Sequence, residues 1–508
     1  PVMADPLVPG GRVRLDFAPS FVSWNSRYGR HLEDGTVVDG VEPLGADVSD
    51  ITGASLFPGL KTLEQSIQDL TGETLAPRLG TTSGVVTKNI TRLDTRLSLG
   101  VFDWLTVGVD VPYVKTRTAV DVAFRPDGGA NLGVNPNISD PDAVSALLLG
   151  MDDAVGAAQA RAADLCASGG GADCEGAQAL AQRASDFQTQ MRNAYLASPF
   201  FPLSSSSAAV GLSSALSSLN DALTGAGLAG IGVPIPFAGG PLDPGDFASL
   251  PTSGDAGIQG SPLETIMGLW ELGDVEVSAN VRLLDGVVQD SASDAPRFAY
   301  TLSGGALVRL GTGKPDDPDV FLDVGSGDGQ TDVEGRVDGG LRVGRRLEFR
   351  GTVRYGVQRP TTLVRRVAPF EGILAPAYTK RAVRWTPGNY TFLDISPRWH
   401  LSEALALAAD YRRYHKGQDQ YALIGDQPAG IPQVDPADLE RETEMTLQEA
   451  SVGLRYNTVG LWRRGRSEWP LELGVRVVWA VAGSGGQTPK ATRAQFSASI
   501  FKRLWGRP

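Results

Sequence analysis

Three kinds of residue in this chain have the types and spacing for chemistry. The first is a set of charges at every second position. Arg92, Asp94 and Arg96 alternate with Thr91, Leu93, Thr95 and Leu97 in "TRLDTRLSLG". The same spacing sets Asp110 in "LTVGVDVPYV", Glu276 and Arg282 in "GDVEVSANVRLL", and Asp332, Glu334, Arg336, Asp338 and Arg342 in "TDVEGRVDGGLRV". It continues with Glu348, Arg350 and Arg354 in "LEFRGTVRYGV", and Asp394, Arg398 and His400 in "YTFLDISPRWHL". Asp410 and Arg412 in "LALAADYRRYH", Arg455 in "TLQEASVGLRY", and Glu472 and Arg476 in "PLELGVRVVWAV" complete it. Charges of both signs on one strand face can frame water, with arginine and acid ladders on opposite walls orienting polar solutes. They can also interlock as ion pairs that close a narrow interior. Both readings stay open at this point.

The second kind is a cysteine pair. Cys166 and Cys174 flank the Gly-rich spacer of "CASGGGADC", which lets the chain double back. A disulfide and an oxidising compartment are expected, against two free thiols. A metal site is not expected, because the three His (His31, His400, His415) lie far from the cysteines in sequence. The third kind is the carboxylates of "KPDDPDV" (Lys314 to Val320) and "DVGSGDGQTD" (Asp323 to Asp332). Calcium takes such oxygen ligands, but EF-hand-type spacing is missing, so a solvated acidic loop is the plainer reading. Gly325, Gly327 and Gly329 lack the strand-to-helix context of a nucleotide fingerprint. A hydrolase would need Ser, His and a carboxylate or amide to converge, and no nucleophile elbow or His–Ser pairing stands out. The expectation is therefore no enzyme, no cofactor and no metal, with His400 in a hydrogen-bonded lining. A net charge of −12 without basic tracts argues against nucleic acid.

The elements that must carry these charges are strands. About twelve segments alternate with period two, from "GRVRLDFAPSF" to "ATRAQFSASIFKRLW". No apolar run reaches the roughly eighteen residues of a membrane helix. A barrel strand needs only about ten residues, of which alternate ones face lipid. An Arg on the lipid face near midplane costs roughly 2–4 kcal/mol, so the charged faces belong inside. The connections agree. "VFDW" (101–104), "GRRLE" (344–348) and "LSEAL" (401–405) are tight, with looser turns near 285–297 and 459–469. The stretches 26–83, 124–273, 312–330, 359–388 and 416–444 are long. Tight and long connections alternate, which places both termini on the periplasmic side. The last strand closes on aromatic Trp505, although "GRP" follows it. "VMA" before Asp5 resembles the end of a signal cleavage site.

The predicted fold is an all-β, antiparallel transmembrane barrel of about twelve strands with an α-helical insert in a long extracellular loop. Three regions follow: 1–124, first strands with a long first loop; 125–272, a helical insert pinned by Cys166 and Cys174; and 273–508, the remaining strands. The insert reads as a helical hairpin plus a weaker helix, and "GLKTLEQSIQDLTG" adds a short helix in the first loop. It is a rim-shielding decoration, or else a gate or partner-binding element.

"RLSLGVFDWLTVGVDVPYV", "GLWELGDVEVSANVRLL", "LVRLGTGKPDDPD" and "DVGSGDGQTDVEGRVDGGLRV" resemble outer-membrane proteins of the meta-pathway phenol-degradation family, aromatic-compound transporters. The likeness covers roughly 84–124 and 270–360, less clearly 389–505, and leaves out the insert. It implies a porin-like channel in the outer membrane of a Gram-negative-type bacterium. Uptake of small, aromatic or hydrophobic molecules would be passive or gated. The partners implied are lipid and lipopolysaccharide, the barrel-insertion machinery and the solute. The alternative is a non-conducting anchor whose insert binds a surface protein.

Overall fold

The computed structural model describes residues 6–33, 36–49, 57, 60–126, 129–167, 169–254, 257–290, 293–368, 372–428 and 433–505. The side chains of 30–39, 197, 289–297 and 463 lie outside that description. So do the cleavage-site residues before Asp5, His31 and the trailing 506–508.

Twelve strands form the wall: β1 (Arg12–Trp24), β2 (Thr81–Phe102), β3 (Leu105–Arg125), β4 (Glu276–Asp290), β5 (Ser293–Arg309) and β6 (Asp332–Val343). The others are β7 (Leu347–Gln358), β8 (Tyr390–His400), β9 (Leu405–Lys416), β10 (Met445–Asn457), β11 (Leu471–Ser484) and β12 (Thr492–Arg503). Each pairs antiparallel with the next, and β12 returns to β1 with Leu15 opposite Ile500. The sheet is thus a closed antiparallel barrel, which leaves no unpaired edge.

Alternation makes the wall two-faced. Phe17, Leu97, Val109, Val337, Val353, Ile395, Leu454, Val475 and Phe496 are exposed on the outside. Arg14, Asp16, Asp94, Asp110, Asp332, Glu334, Asp394, Arg398, Arg412 and Arg476 are buried inside. A polar interior and an apolar exterior invert a soluble protein, and hydrocarbon is the medium in which that inversion is stable. Trp104, Trp399, Trp469 and Trp505 are exposed near the tight-turn end, where an interfacial girdle belongs.

The tight turns gather at one end with both termini. Gly10 N donates to Asp103 there (2.9 Å), and Leu504 N donates to Gly11 O (2.8 Å). Arg12 stacks on the Trp462 ring (5.0 Å), and Glu403 accepts from Arg466 (2.8 Å). Two connections differ from the sequence expectation. The looser turn near 285–297 is strand to Asp290 and again from Ser293, the two strands staying paired through register shifts at Val288/Gln289 and Gln289/Asp290. The β11–β12 turn is short although it lies at the long-loop end. β2 and β3, at 22 and 21 residues, also run well past the segments that alternate most clearly.

At the long-loop end, helices α1 (Leu60–Thr71), α2 (Pro141–Ala167), α3 (Ala172–Ala197) and α4 (Ser207–Gly225) pack as a cap. Leu147, Met151, Ala154, Ala158 and Ala162 recur at helical spacing on the buried stripe of α2. Small Ala side chains let α3 approach closely, with Ala184, Phe187, Met191 and Ala194 facing the same core. Ser206 caps α4 by accepting from Ala209 N (3.2 Å). Cys166 and Cys174 are bonded, with Cα atoms 4.8 Å apart, where α2 meets α3. The cap is broader than residues 125–272, since its core takes Leu60, Leu63 and Ile67 of α1, Phe124 of β3, Phe321 and Leu374. Several loops therefore build one apolar core.

Candidate functional site: the charged lumen

The inward charges pair mainly with neighbouring strands, along the wall. Arg96 of β2 meets Asp110 of β3 (2.9 Å) and Glu276 of β4 (3.7 Å). Arg309 of β5 takes Glu276 (2.9 Å) and Asp332 of β6 (2.8 Å). One continuous ladder thus spans five consecutive strands. Beyond it, Glu334 accepts from Tyr390 Oη (2.8 Å) and faces Arg354 (3.4 Å). Asp338 holds Arg336 (2.6 Å) and accepts from Thr352 Oγ1 (2.8 Å). Glu348 holds Arg350 (2.6 Å), Arg398 (3.4 Å) and His400 Nε2 (2.9 Å). Asp394 takes Arg412 (2.7 Å), Asp410 faces Arg476 (3.6 Å), and Glu472 takes Arg455 (3.0 Å). Arg92 pairs with Asp94 within β2 (2.5 Å). Arg282 reaches Asp285 (3.3 Å), and Arg342 lies on the vestibule wall. Inward side chains on paired strands sit within about 5 Å of one another, so wall pairing needs no reach across the axis.

Sequence reasoning left three features out of the lumen lining. Arg14 and Asp16 of β1 pair at 2.9 Å, although "RVRLDF" carries the same alternation. Arg493 of β12 pairs with Glu449 of β10 (2.9 Å) across the intervening β11. Glu449 follows a register shift at Gln448, which hid its phase. The third is not on the wall. Residues 6–10 fold back into the tight-turn end as a strap. Val8 is fully buried, and its N donates to Thr106 Oγ1 (2.8 Å). Gly100 lets the strap lie flat, since a Cβ there would stand 2.2 Å from Pro9 O and 2.4 Å from Val8 O. No periodicity in "PLVPG" announces this placement.

The strap divides the lumen. A vestibule of about 460 Å³ opens at the tight-turn end, bordered by Glu348, His400, Arg455, Glu472 and Phe501. Deeper lies a narrower space of about 60 Å³, bordered by Arg96, Asn280, Arg336, Asp338 and Asp394.

The opposite mouth is crossed by residues 310–331, the acidic loop. Phe321 is buried in the cap core, and Leu322 O accepts from inward Thr118 Oγ1 (3.0 Å). Asp274 accepts from Gly313 N (2.8 Å) and Asp328 N (3.0 Å). Asp319 binds Lys380 (2.5 Å) and Arg366 (2.9 Å), whose cations hold its carboxyl below the usual carboxylate range. The loop is thus tied down by hydrogen bonds and ion pairs rather than simply solvated. Among the described residues no cluster of three His, Cys, Asp or Glu could hold a metal ion. His415 contacts Thr446 Oγ1 (3.0 Å).

No family model matches this sequence, and no curated protein does. Solved structures resemble it at low identity. The COG4313 outer membrane channel from Pseudomonas putida F1 aligns over 98% of this chain and 100% of its own, at 9% identity and TM-score 0.42. The P. putida toluene transporter TodX aligns over 98% and 92%, at 9% identity and TM-score 0.27. A Pseudomonas aeruginosa FadL homologue aligns over 97% and 90%, at 10% identity and TM-score 0.25. At these identities and scores none of those names transfers to this chain.

Proposed function

We propose that this chain is an outer-membrane channel of a Gram-negative-type bacterium, passing small molecules by passive or gated uptake. The observation that carries this reading is the direction of the ion pairs. They join nearby strands along the wall, so the charges brace the barrel and leave the axis to water and solute. The reading assigns no catalytic step, and His400 serves Glu348 on the vestibule wall. The strap at one end and the acidic loop under the cap at the other are the two places where passage is regulated. Aromatic or hydrophobic solutes come from the family resemblance, and Phe501 beside the vestibule is compatible with them. The barrel-insertion machinery would place the chain in the membrane. The second reading is a non-conducting anchor, favoured by Leu149, Leu196 and Val210, which the cap helices leave exposed to a surface partner.

Single-channel conductance in planar bilayers separates the two. The intact protein and a form lacking 138–268 are compared, with folding checked by the heat-dependent gel shift of the barrel. Steady current in the intact protein supports the channel, and a larger current after deletion makes the cap a gate. Silence in both folded forms sinks the channel and leaves the anchor.

A further inference from the structure

The outer face of β3 changes from apolar to cationic part-way along the strand. Leu105, Val107, Val109, Val111 and Tyr113 take the outward positions in turn, and the next two are Lys115 and Arg117. The apolar run rises roughly 20 Å on a tilted strand, close to the height of a barrel's lipid band. Strand register puts Leu93 of β2 beside Tyr113, then polar Thr91 and Asn89 beside Lys115 and Arg117. Both strands thus change character at one level, toward the long-loop end. We propose that this rim binds a phosphorylated, multiply acylated glycolipid of the outer leaflet, the chemistry of lipopolysaccharide. The inference rests on the outer-membrane reading above.

Charge and packing support it. Arg117 is exposed and Lys115 half-buried, and neither has an ion pair among the described residues. Residues two apart on a strand face stand about 7 Å from one another, so both cations can reach one phosphate. Asp121 shares their face but lies about 13 Å beyond Arg117 along the strand. Glu264 stands past Thr265, which meets Val120, and Glu271 is held by Lys314 (2.7 Å). The segment returning from the cap supplies the apolar half of the site. It runs beside β3 where the pairing with β4 stops, with Met267 opposite Arg117 and Leu272 opposite Tyr113. Gly268 N donates to Thr116 O (3.0 Å) and Gly273 N to Pro112 O (2.9 Å). A Cβ on Gly268 would stand 2.6 Å from Thr116 Oγ1, so glycine permits the close approach. Held in this way, the segment leaves Met267, Leu269 and Trp270 65%, 81% and 51% exposed. Acyl chains cover such side chains, and a phosphate at the head meets the cations beside them.

The test titrates the purified full chain in detergent micelles with bisphosphorylated lipid A, its dephosphorylated form and phosphatidylglycerol. Native mass spectrometry counts the lipid bound, and the heat-dependent gel shift checks that each variant is folded. Bisphosphorylated lipid A should bind more tightly than either of the others. Lys115→Gln and, separately, Arg117→Gln should each weaken it about fivefold, the worth of one cation at an anionic lipid surface. Trp270→Ala should weaken both forms of lipid A alike, and Lys61→Gln, exposed on α1, should change nothing. Equal binding of the two forms, equal binding of phosphatidylglycerol, or an affinity untouched in both folded cation variants would overturn the proposal. Planar-bilayer current from the same preparation separates this failure from that of the channel. Phosphate-dependent binding by a silent protein would uphold the site and sink the channel. Current without such binding would do the reverse.

Discussion

The barrel wall and the helical cap are built from one chain on opposite plans. In the cap, Leu147, Met151, Met191, Phe200 and Leu212 are buried, as in any protein folded in water. In the wall, Asp332, Glu334, Asp394 and Arg412 are buried while Val353, Phe349 and Leu454 are exposed. The strands have no other outlet for apolar side chains, because closure turns every second residue inward and the rest outward. The cap stands clear of that constraint, so its helices hide an apolar stripe in the usual way. Which residues count as buried is therefore set by the solvent outside each region, hydrocarbon for one and water for the other.

The sharpest way to break this comparison is to open a buried ion pair in the wall. Asp394→Ala should strand Arg412, side chains that are 2% and 6% exposed, and cost about 3–5 kcal/mol. Urea unfolding of the barrel in lipid vesicles measures it, and a neutral result would mean that water in the lumen takes over the pairing. Leu147→Ala should cost the cap about 2–5 kcal/mol through the cavity it leaves. Limited proteolysis should then release cap fragments while the barrel stays folded. If the barrel melts in step, the two regions fold as one unit.

A third substitution probes the outer face. Val353→Arg should destabilise the barrel by roughly 2–4 kcal/mol in lipid. The same change assayed in a water-soluble setting would be nearly silent at so exposed a position, so a silent result in lipid would place β7 outside the hydrocarbon. The smallest effect concerns the exposed clamp between the acidic loop and its neighbour. Lys380 first, then Arg366, hold the Asp319 carboxyl below its usual range. A carboxylate with a lowered folded pKa stabilises at pH above its unfolded value and loses that contribution as pH falls through the folded one. Loop anchorage should thus persist at neutral pH and at the ordinary carboxylate pKa, then fade in stronger acid. Asp319→Asn should remove the pH dependence with a stability change of about 0–1 kcal/mol, read by proteolysis of residues 310–331 across pH.

Much of the wall was legible because a strand encodes its two faces with period two. "TRLDTRLSLG" already says which of Arg92, Leu93, Asp94 and Leu97 part company. The alternation of tight and long connections added the end on which the termini lie. Helical spacing and the Gly-rich spacer likewise announced α2, α3 and the cysteine bond. Tertiary structure alone decided the partners. Strand register put Arg96 beside Asp110 and Glu276, and a register shift put Glu449 within reach of Arg493 across β11. No local pattern marked residues 6–10 as a strap, since their place depends on Gly100 and Thr106, about a hundred positions away. Phe321 entered the cap core only because distant loops meet over one mouth. Periodicity is a property of a few neighbouring residues, whereas pairing and plugging depend on distances that only closure of the whole barrel creates.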